Sequence, residues 1–525
     1  MSYLLWLLPV GLWGILRFLL FEGIQGADDL EHLRFAWELD RIPATHWELR
    51  LPYNLLLAGS LRLLGFSEFS AAVPGLIGSF MLMLFCGLTV RHVTQNDRLA
   101  VVAMLLMAVL PGDVLDCTTG GSTRILGTGL LAAAVWSVVT RPGMTGVAIA
   151  GVLMGLAVDC HLTLLFFVVV FFGVLGVMVP CLRSRIVKAW VLGGTVFLLL
   201  DPLPWWIVKG DPLYRLHVIE KTHLQQLQND TNERRVYSAD GSFDTTFITQ
   251  PVRDVIFSKQ YAVLPLMMLL TGFLSYRRMP EVLRGVLVAA SVYWLYMAFG
   301  THTPSGYKPF PGTVSYWQPL AIPLALVIGA ALPSLHNRRM RNALATVTVG
   351  LCLLLMCLGG PWGQNVEVSR QFLSWAKEHP DSIFVADDRT AREIRTLNAF
   401  QTPANLRLVP GSLRSERWSV PCLTRADIES APVFAMINVL NNPESTVAGH
   451  FIPDNAASCK WLSEHSKTCV HQTTAAWRPI TYLLPESLRP ARLIRRPVAE
   501  IRECVPDRPE YTTTGVAAPD VVTPK

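Results

Sequence analysis

Charge is scarce in this 525-residue chain. Asp, Glu, Lys and Arg make up 16% of it and apolar residues 51%, where a soluble domain carries about 25% charged residues. An all-soluble chain is therefore excluded. None of the ten cysteines forms a CxxC pair, which argues against a zinc knuckle. There is no Gly-rich phosphate loop, no heptad run and no dinucleotide fingerprint, so no pocket for a nucleotide-sugar donor is visible. The net charge of +6 comes without an aromatic-interleaved basic patch, so nucleic acid is not the expected partner. In a membrane protein such basic residues also collect in cytoplasmic loops.

Apolar runs of bilayer-spanning length fill the first 360 residues. Length and charge interruption predict about eleven spans, near 3–21, 70–90, 99–112, 123–140, 144–159, 161–180, 187–207, 260–276, 282–300, 315–334 and 342–360. The first, Ser2 to Phe21, has neither a basic leader region nor a small-residue cleavage site before Glu22, and reads as a retained anchor. With the N-terminus cytoplasmic, the inner connections collect twelve basic residues, from Arg91 and Arg98 to Arg339 and Arg341. The short outer ones hold little beyond Arg124 and Lys308. An odd number of spans then puts the segment after Gly360 outside.

The reading gives a transmembrane domain over 1–360 with long outer loops at 22–69 and 209–259, an extracytoplasmic domain over 361–504 and a loose end over 505–525. The first loop carries two short amphipathic stretches suited to the membrane interface. In the outer domain, Asp381 to Asp388 reads as a strand with an acidic turn, Thr390 to Leu397 as a helix and Ala431 to Leu440 as a second strand, hence a small α/β unit. Cys422, Cys459, Cys469 and Cys504 fall in it, an even number in an oxidising compartment, and two disulfides are expected there without a fixed pairing.

The sharpest chemical feature is Gly26-Ala-Asp28-Asp29-Leu-Glu31-His32, directly after the first span. Adjacent carboxylates repel, raising the pKa of one, so one is a candidate general base and the other an orienting acceptor; solvated loop acids are the plain alternative. His46 and Arg50 share the same loop, and Arg50 before Leu51-Pro52 suits a forked grip on phosphate, the alternative being a cation snorkelling to the membrane edge. Asp159-Cys160-His161 with Cys117 suggests either a metal site or, more simply, a hydrogen-bonded pair; a Cys117–Cys160 disulfide is the testable variant.

An apolar first helix, an acidic pair, an amphipathic stretch with Ala36-Trp37, a basic-Leu-Pro step and a helix after Leu64-Gly65-Phe66-Ser67-Glu68 together resemble the C-type (GT-C) superfamily of integral-membrane glycosyltransferases. Within it the resemblance is to the branch of protein O-mannosyltransferases, lipid A aminoarabinose transferases and bacterial galacturonosyl and mannosyl relatives. Ala71-Ala-Val-Pro-Gly75, Asp201-Pro-Leu-Pro-Trp205-Trp206, Gly210-Asp211-Pro212-Leu213 and Tyr316-Trp317-Gln-Pro319-Leu-Ala-Ile-Pro323 follow in the family's order over roughly 1–335.

The resemblance implies a GT-C type α-helical multi-pass membrane protein in a bacterial inner membrane, with an outer α/β domain. It implies transfer of a sugar from a polyprenyl-phosphate donor to a lipid, glycan or protein acceptor among membrane lipids. Asp28 takes the family's first acidic position, as the base; Asp29 stands where Glu is usual. Where the family often carries Asp-Ala, this chain has Thr123-Arg124-Ile125, so Asp113 and Asp116 are candidates for the missing carboxylate and Arg124 for phosphate binding. Arg215 and Lys221 are further phosphate candidates, and Tyr307 with Lys308 a lid over it. No cofactor is required, though a divalent cation stays open. A transporter or flippase for lipid-linked sugars, or a catalytically dead scaffold, is the competing reading; neither an inverted repeat nor a charged midplane residue speaks for transport.

Overall fold

The computed structural model describes residues 2–25, 27–39, 48–219, 236–237, 242–258, 260–301, 310, 314–332, 338–358, 364–409, 420–438, 466–474 and 497–504. The chain divides into two compact units: residues 1–363 with 477–494, and residues 364–476 with 495–525.

The first unit is helical, and with its several apolar helices the protein is an integral membrane protein. Its opening half runs through α1 (Ser2–Leu19), α2 (Ala27–Trp37), α3 (Leu51–Leu64), α4 (Glu68–Thr94), α5 (Asp97–Ala108), α6 (Pro111–Asp116), α7 (Thr123–Thr140) and α8 (Met144–Cys160). Then come α9 (Leu164–Met178), α10 (Pro180–Leu200), α11 (Pro202–Lys209), α12 (Thr246–Ile256), α13 (Leu264–Ser275), α14 (Glu281–Phe299), α15 (Ala321–Ala331) and α16 (Arg338–Leu358).

Four stretches are long and apolar enough to cross a membrane: Glu68–Thr94, Thr123–Thr140, Pro180–Lys209 and Glu281–Phe299. Five more apolar helices are shorter. The expected eleven spans are thus not all met by length and hydropathy among the described residues. The run expected over 99–112 is cut at Ala108, because Pro111 starts the separate short helix α6.

Local chemistry sets the ends. Ser67 caps α4 by accepting from the Ser70 amide while Ser70 returns a bond to the Ser67 amide. Asn96 caps α5 through the Arg98 amide. Between α4 and α7 the backbones touch: a Cβ at Gly78 would lie 2.4 Å from Leu126 Cα, and one at Gly129 would lie 2.2 Å from the Gly78 carbonyl oxygen. Small residues at both faces permit this approach, as in helix pairs packed in lipid. Inside α9 a π-helical turn, Phe167–Phe171, stacks its two end rings 4.3 Å apart against Tyr293 of α14.

The second unit opens with α17 (Gln364–Glu378) and holds a five-stranded sheet in the order β2-β1-β3-β5-β4, from β1 (Ile383–Ala386), β2 (Leu406–Leu408), β3 (Val433–Asn438), β4 (Ser466–Thr474) and β5 (Pro497–Cys504). The first three strands are parallel and the last two antiparallel. Helix α18 (Asp388–Leu397) follows β1 as expected, capped by Asp387, whose carboxylate accepts from the Thr390 amide. The core gathers Phe372, Phe384, Ala391, Ile394 and Leu406. Cys422 is half-buried, Cys469 and Cys504 stand on the neighbouring strands β4 and β5, and Cys459 lies outside the described residues.

Candidate active site

The loop between α6 and α7, Cys117 to Ser122, is the hub that Asp29 bonds and beside which Arg50 bonds Thr123. It folds back on the Asp116 carbonyl, which accepts from the Thr119 amide at 3.3 Å, from Thr119 Oγ1 at 3.0 Å and from Ser122 Oγ. The segment after α1 runs beside it: the Gly23 amide donates to the Thr118 carbonyl at 3.2 Å, and the Glu22 amide to Thr118 Oγ1 at 3.1 Å.

Asp29 pins α2 to this loop. Its buried carboxylate accepts from the Gly120 amide at 3.0 Å and from the Gln25 amide at 2.9 Å. Gly121 must stay bare, since a Cβ there would meet Asp29 Oδ1 at 2.4 Å. Tyr53 clamps the same loop from α3, donating to the Gly120 carbonyl at 2.7 Å and accepting from the Ser122 amide at 3.0 Å. Burial first, and then the Asp29 charge, push the Tyr53 phenol well above its ordinary pKa, so it remains a neutral donor.

Arg50 precedes α3 and reaches across to α7, donating to Thr123 Oγ1 at 2.8 Å. Beside it, His32 Nδ1 lies 2.8 Å from Asn54 Oδ1, and the Asn54 amide donates to the Glu48 carbonyl at 2.9 Å. An amide oxygen only accepts, which assigns the proton to Nδ1 and leaves His32 Nε2 to accept from Arg50 at 3.4 Å. One residue beyond Thr123, Arg124 lies over the Tyr316 ring, 5.3 Å from its centroid, and its buried Nη1 has no hydrogen-bond partner among the described residues. His161 flanks the other reach of Tyr316, ring centroids 6.3 Å apart, and shares a 2.7 Å hydrogen bond with Thr163. Asp116 is half-buried, and desolvation, opposed by the Arg124 charge, pushes its carboxyl up to about 6.

Two expected ligands turn out to be occupied by opposite charge. Asp113 is buried under Arg17, which pairs with it and donates to the Ala108 carbonyl at 2.9 Å, while Ser79 donates to Asp113 at 2.5 Å. Arg215 is buried between Asp159, with which it pairs directly, and Asp201 at 3.4 Å, and it also donates to the Asp159 carbonyl at 3.0 Å. Trp205 holds Asp201 in turn at 2.8 Å. Low-dielectric surroundings leave charges no economical choice but each other. Cys117 and Cys160 are separate buried thiols, so the disulfide variant is not formed. Among the described residues there is no group of three or more His, Cys, Asp or Glu side chains that could hold a metal ion.

Asp28 follows Ala27 on α2, but its side chain, like the whole of His46, Lys221, Tyr307 and Lys308, lies outside the described residues. The sequence reading passed over Arg17, whose signal was a lone cation within the first apolar run. It also passed over the Gly120-Gly121 pair, where a carboxylate comes up against backbone.

Neither a family model nor a curated protein matches the sequence. Among solved structures, ArnT from Cupriavidus metallidurans bound to undecaprenyl phosphate superposes with a TM-score of 0.51 over 95% of this chain and 98% of its own, at 12% identity. The chain has the GT-C glycosyltransferase fold. The archaeal oligosaccharyltransferase AglB from Archaeoglobus fulgidus, in complex with an inhibitory peptide and a dolichol-phosphate, aligns over 95% of this chain and 88% of its own at 13% identity, with a TM-score of 0.49. Within this GT-C fold, the hub loop, Asp29, Arg50 and Arg124 are gathered where α2, α3 and α7 begin.

Proposed function

We propose that the chain transfers a sugar from a polyprenyl-phosphate donor to a lipid, glycan or protein acceptor at the outer face of the membrane. The observation that carries this reading is the pair of cations at two successive positions of the first turn of α7: Arg50 bonds Thr123, and Arg124, the next residue, has a buried nitrogen with no hydrogen-bond partner among the described residues. Acid anchors and cations stand together there, as the chemistry requires. A leaving phosphate gains charge as its bond to the anomeric carbon breaks, and fixed cations stabilise that charge. The acceptor oxygen forms the new bond to the same carbon and gives up its proton.

Asp28 is the proposed base for that proton, and Asp29 the anchor that fixes α2 against the hub loop. Arg50 and Arg124 are the proposed phosphate ligands, and Asp116, whose carboxyl feels the Arg124 charge, is the proposed second acid. His46, Tyr307 and Lys308 stand as proposed donor contacts. The fold shared with ArnT, whose solved structure holds undecaprenyl phosphate, supports the donor class.

Purified protein in lipid nanodiscs, supplied in turn with mannosyl, galacturonosyl and aminoarabinosyl polyprenyl phosphates, tests the reading. Wild type is expected to consume one of them. Asp28→Asn is expected to lower turnover at least about 100-fold. Undiminished turnover in Asp28→Asn removes it as base, whereas donor movement across the bilayer without any transfer returns the protein to the transporter class.

A further inference from the structure

Helix α12, Thr246–Ile256, divides its circumference three ways. One face is turned into the protein, with Pro251 and Asp254 buried. A second carries Ile248, Val252 and Ile256, spaced four residues apart on one stripe, and all three are exposed, at 48%, 44% and 51%. The third is polar and exposed, with Thr249 and Arg253. A water-soluble helix has two faces, core and solvent; this one has an additional apolar face that is left exposed among the described residues.

The position of the helix identifies what covers that face. Phe247 packs edge-on against Phe299, centroids 5.8 Å apart, and Phe299 is the last residue of the apolar stretch Glu281–Phe299, one of those long enough to cross the bilayer. Helix α12 therefore sits at the depth where a span ends. It also packs on α13, whose Leu270 and Phe273 are themselves exposed, Phe273 by 81%. The helix on which α12 packs thus presents an exposed apolar surface of its own. Aromatic rings cluster at this level, with Phe243 against Phe247 and Tyr237 against Phe243, as they do at membrane–water boundaries.

We propose that α12 is an in-plane membrane helix, its Ile248–Val252–Ile256 stripe in the acyl layer of the bilayer and Arg253 among the lipid phosphates. Amphipathic helices bind in this manner by burying an apolar face a few ångströms below the headgroups. The partner is the lipid surface itself, and the assignment does not depend on the transfer reaction.

The test places a benzophenone amino acid at Val252, at Arg253 or, as the lipid-facing reference, at Phe273 in the full chain. The protein is reconstituted in phosphatidylethanolamine and phosphatidylglycerol nanodiscs, irradiated and read by intact mass. All three positions are exposed, so folding, checked by elution volume, is expected to be retained. Phospholipid adducts at Val252 are expected to come within about threefold of those at Phe273 and to exceed those at Arg253 by at least about fivefold. Equal lipid yield at Val252 and Arg253 overturns the proposal. A cross-linked dimer at Val252 in place of lipid also overturns it, since a second copy would then cover the stripe.

Discussion

Arg50 and Thr123, 73 positions apart in the chain, are joined by a 2.8 Å hydrogen bond that ties the start of α3 to the start of α7. A guanidinium presents its five donors in a fixed planar fork that matches a phosphate's oxygens. Arg50→Lys retains the charge and loses the fork. It is expected to lower kcat/KM for transfer about 10- to 100-fold while leaving thermal unfolding within about 1 °C, since ΔΔG‡ reads the lost transition-state contact. Steady-state kinetics beside a thermal melt separates the two.

Gly121 and Asp29 form a coupled pair. Gly121→Ala drives a methyl into the Asp29 carboxylate, and overpacking of this kind costs about 1–3 kcal/mol. Asp29→Ala orphans the Gly120 and Gln25 amides, at about 1–3 kcal/mol as well. The double variant is expected to be less destabilised than the sum, because the second change removes the atom with which the first collides. Melting of the four proteins in one detergent gives the cycle; strict additivity would count against the contact.

Arg17 and Asp113 are both almost fully buried. Arg17→Met leaves a carboxylate alone in the bundle and is expected to cost about 3–5 kcal/mol, whereas Arg17→Met with Asp113→Leu is expected to recover most of that loss. Equal melting temperatures for the single and double variants would contradict this.

Asp116 gives a pH signature. Its carboxyl is raised from 3.8 to about 6 by burial, so between those values the folded chain holds a proton that the unfolded chain has released. Its contribution to stability is therefore greatest below the lower value, declines as pH rises through the window and is level above it. Melting curves of wild type and Asp116→Asn are expected to change in separation between pH 4 and pH 6 and to run parallel above pH 7.

Much of this was legible in the chain itself. The span expected over 123–140 coincides with α7, and the strand and helix expected after Asp381 are β1 and α18, because apolar length and capping residues act locally. Asp29, Arg50 and Arg124 were legible as candidates since polar residues beside apolar runs stand out. The anchoring of Asp29 on Gly120 and of Arg50 on Thr123 was not, because it depends on contacts 91 and 73 residues apart. The same distance in sequence hid the Arg17–Asp113 pair, and with it the true work of Asp113. Arg215 misled for a related reason: a guanidinium in a polar loop looks available until the chain brings Asp159 and Asp201 around it.

That arrangement sets a rule for sequence variation. Two acids sharing a single cation leave one unit of negative charge without a counterpart among them, and lysine, a compact point donor, is poorly shaped to serve both together. Homologues that lose Arg215 are therefore expected to have lost Asp159 or Asp201 in the same lineage, so the three positions should drift as a set while their surroundings change freely.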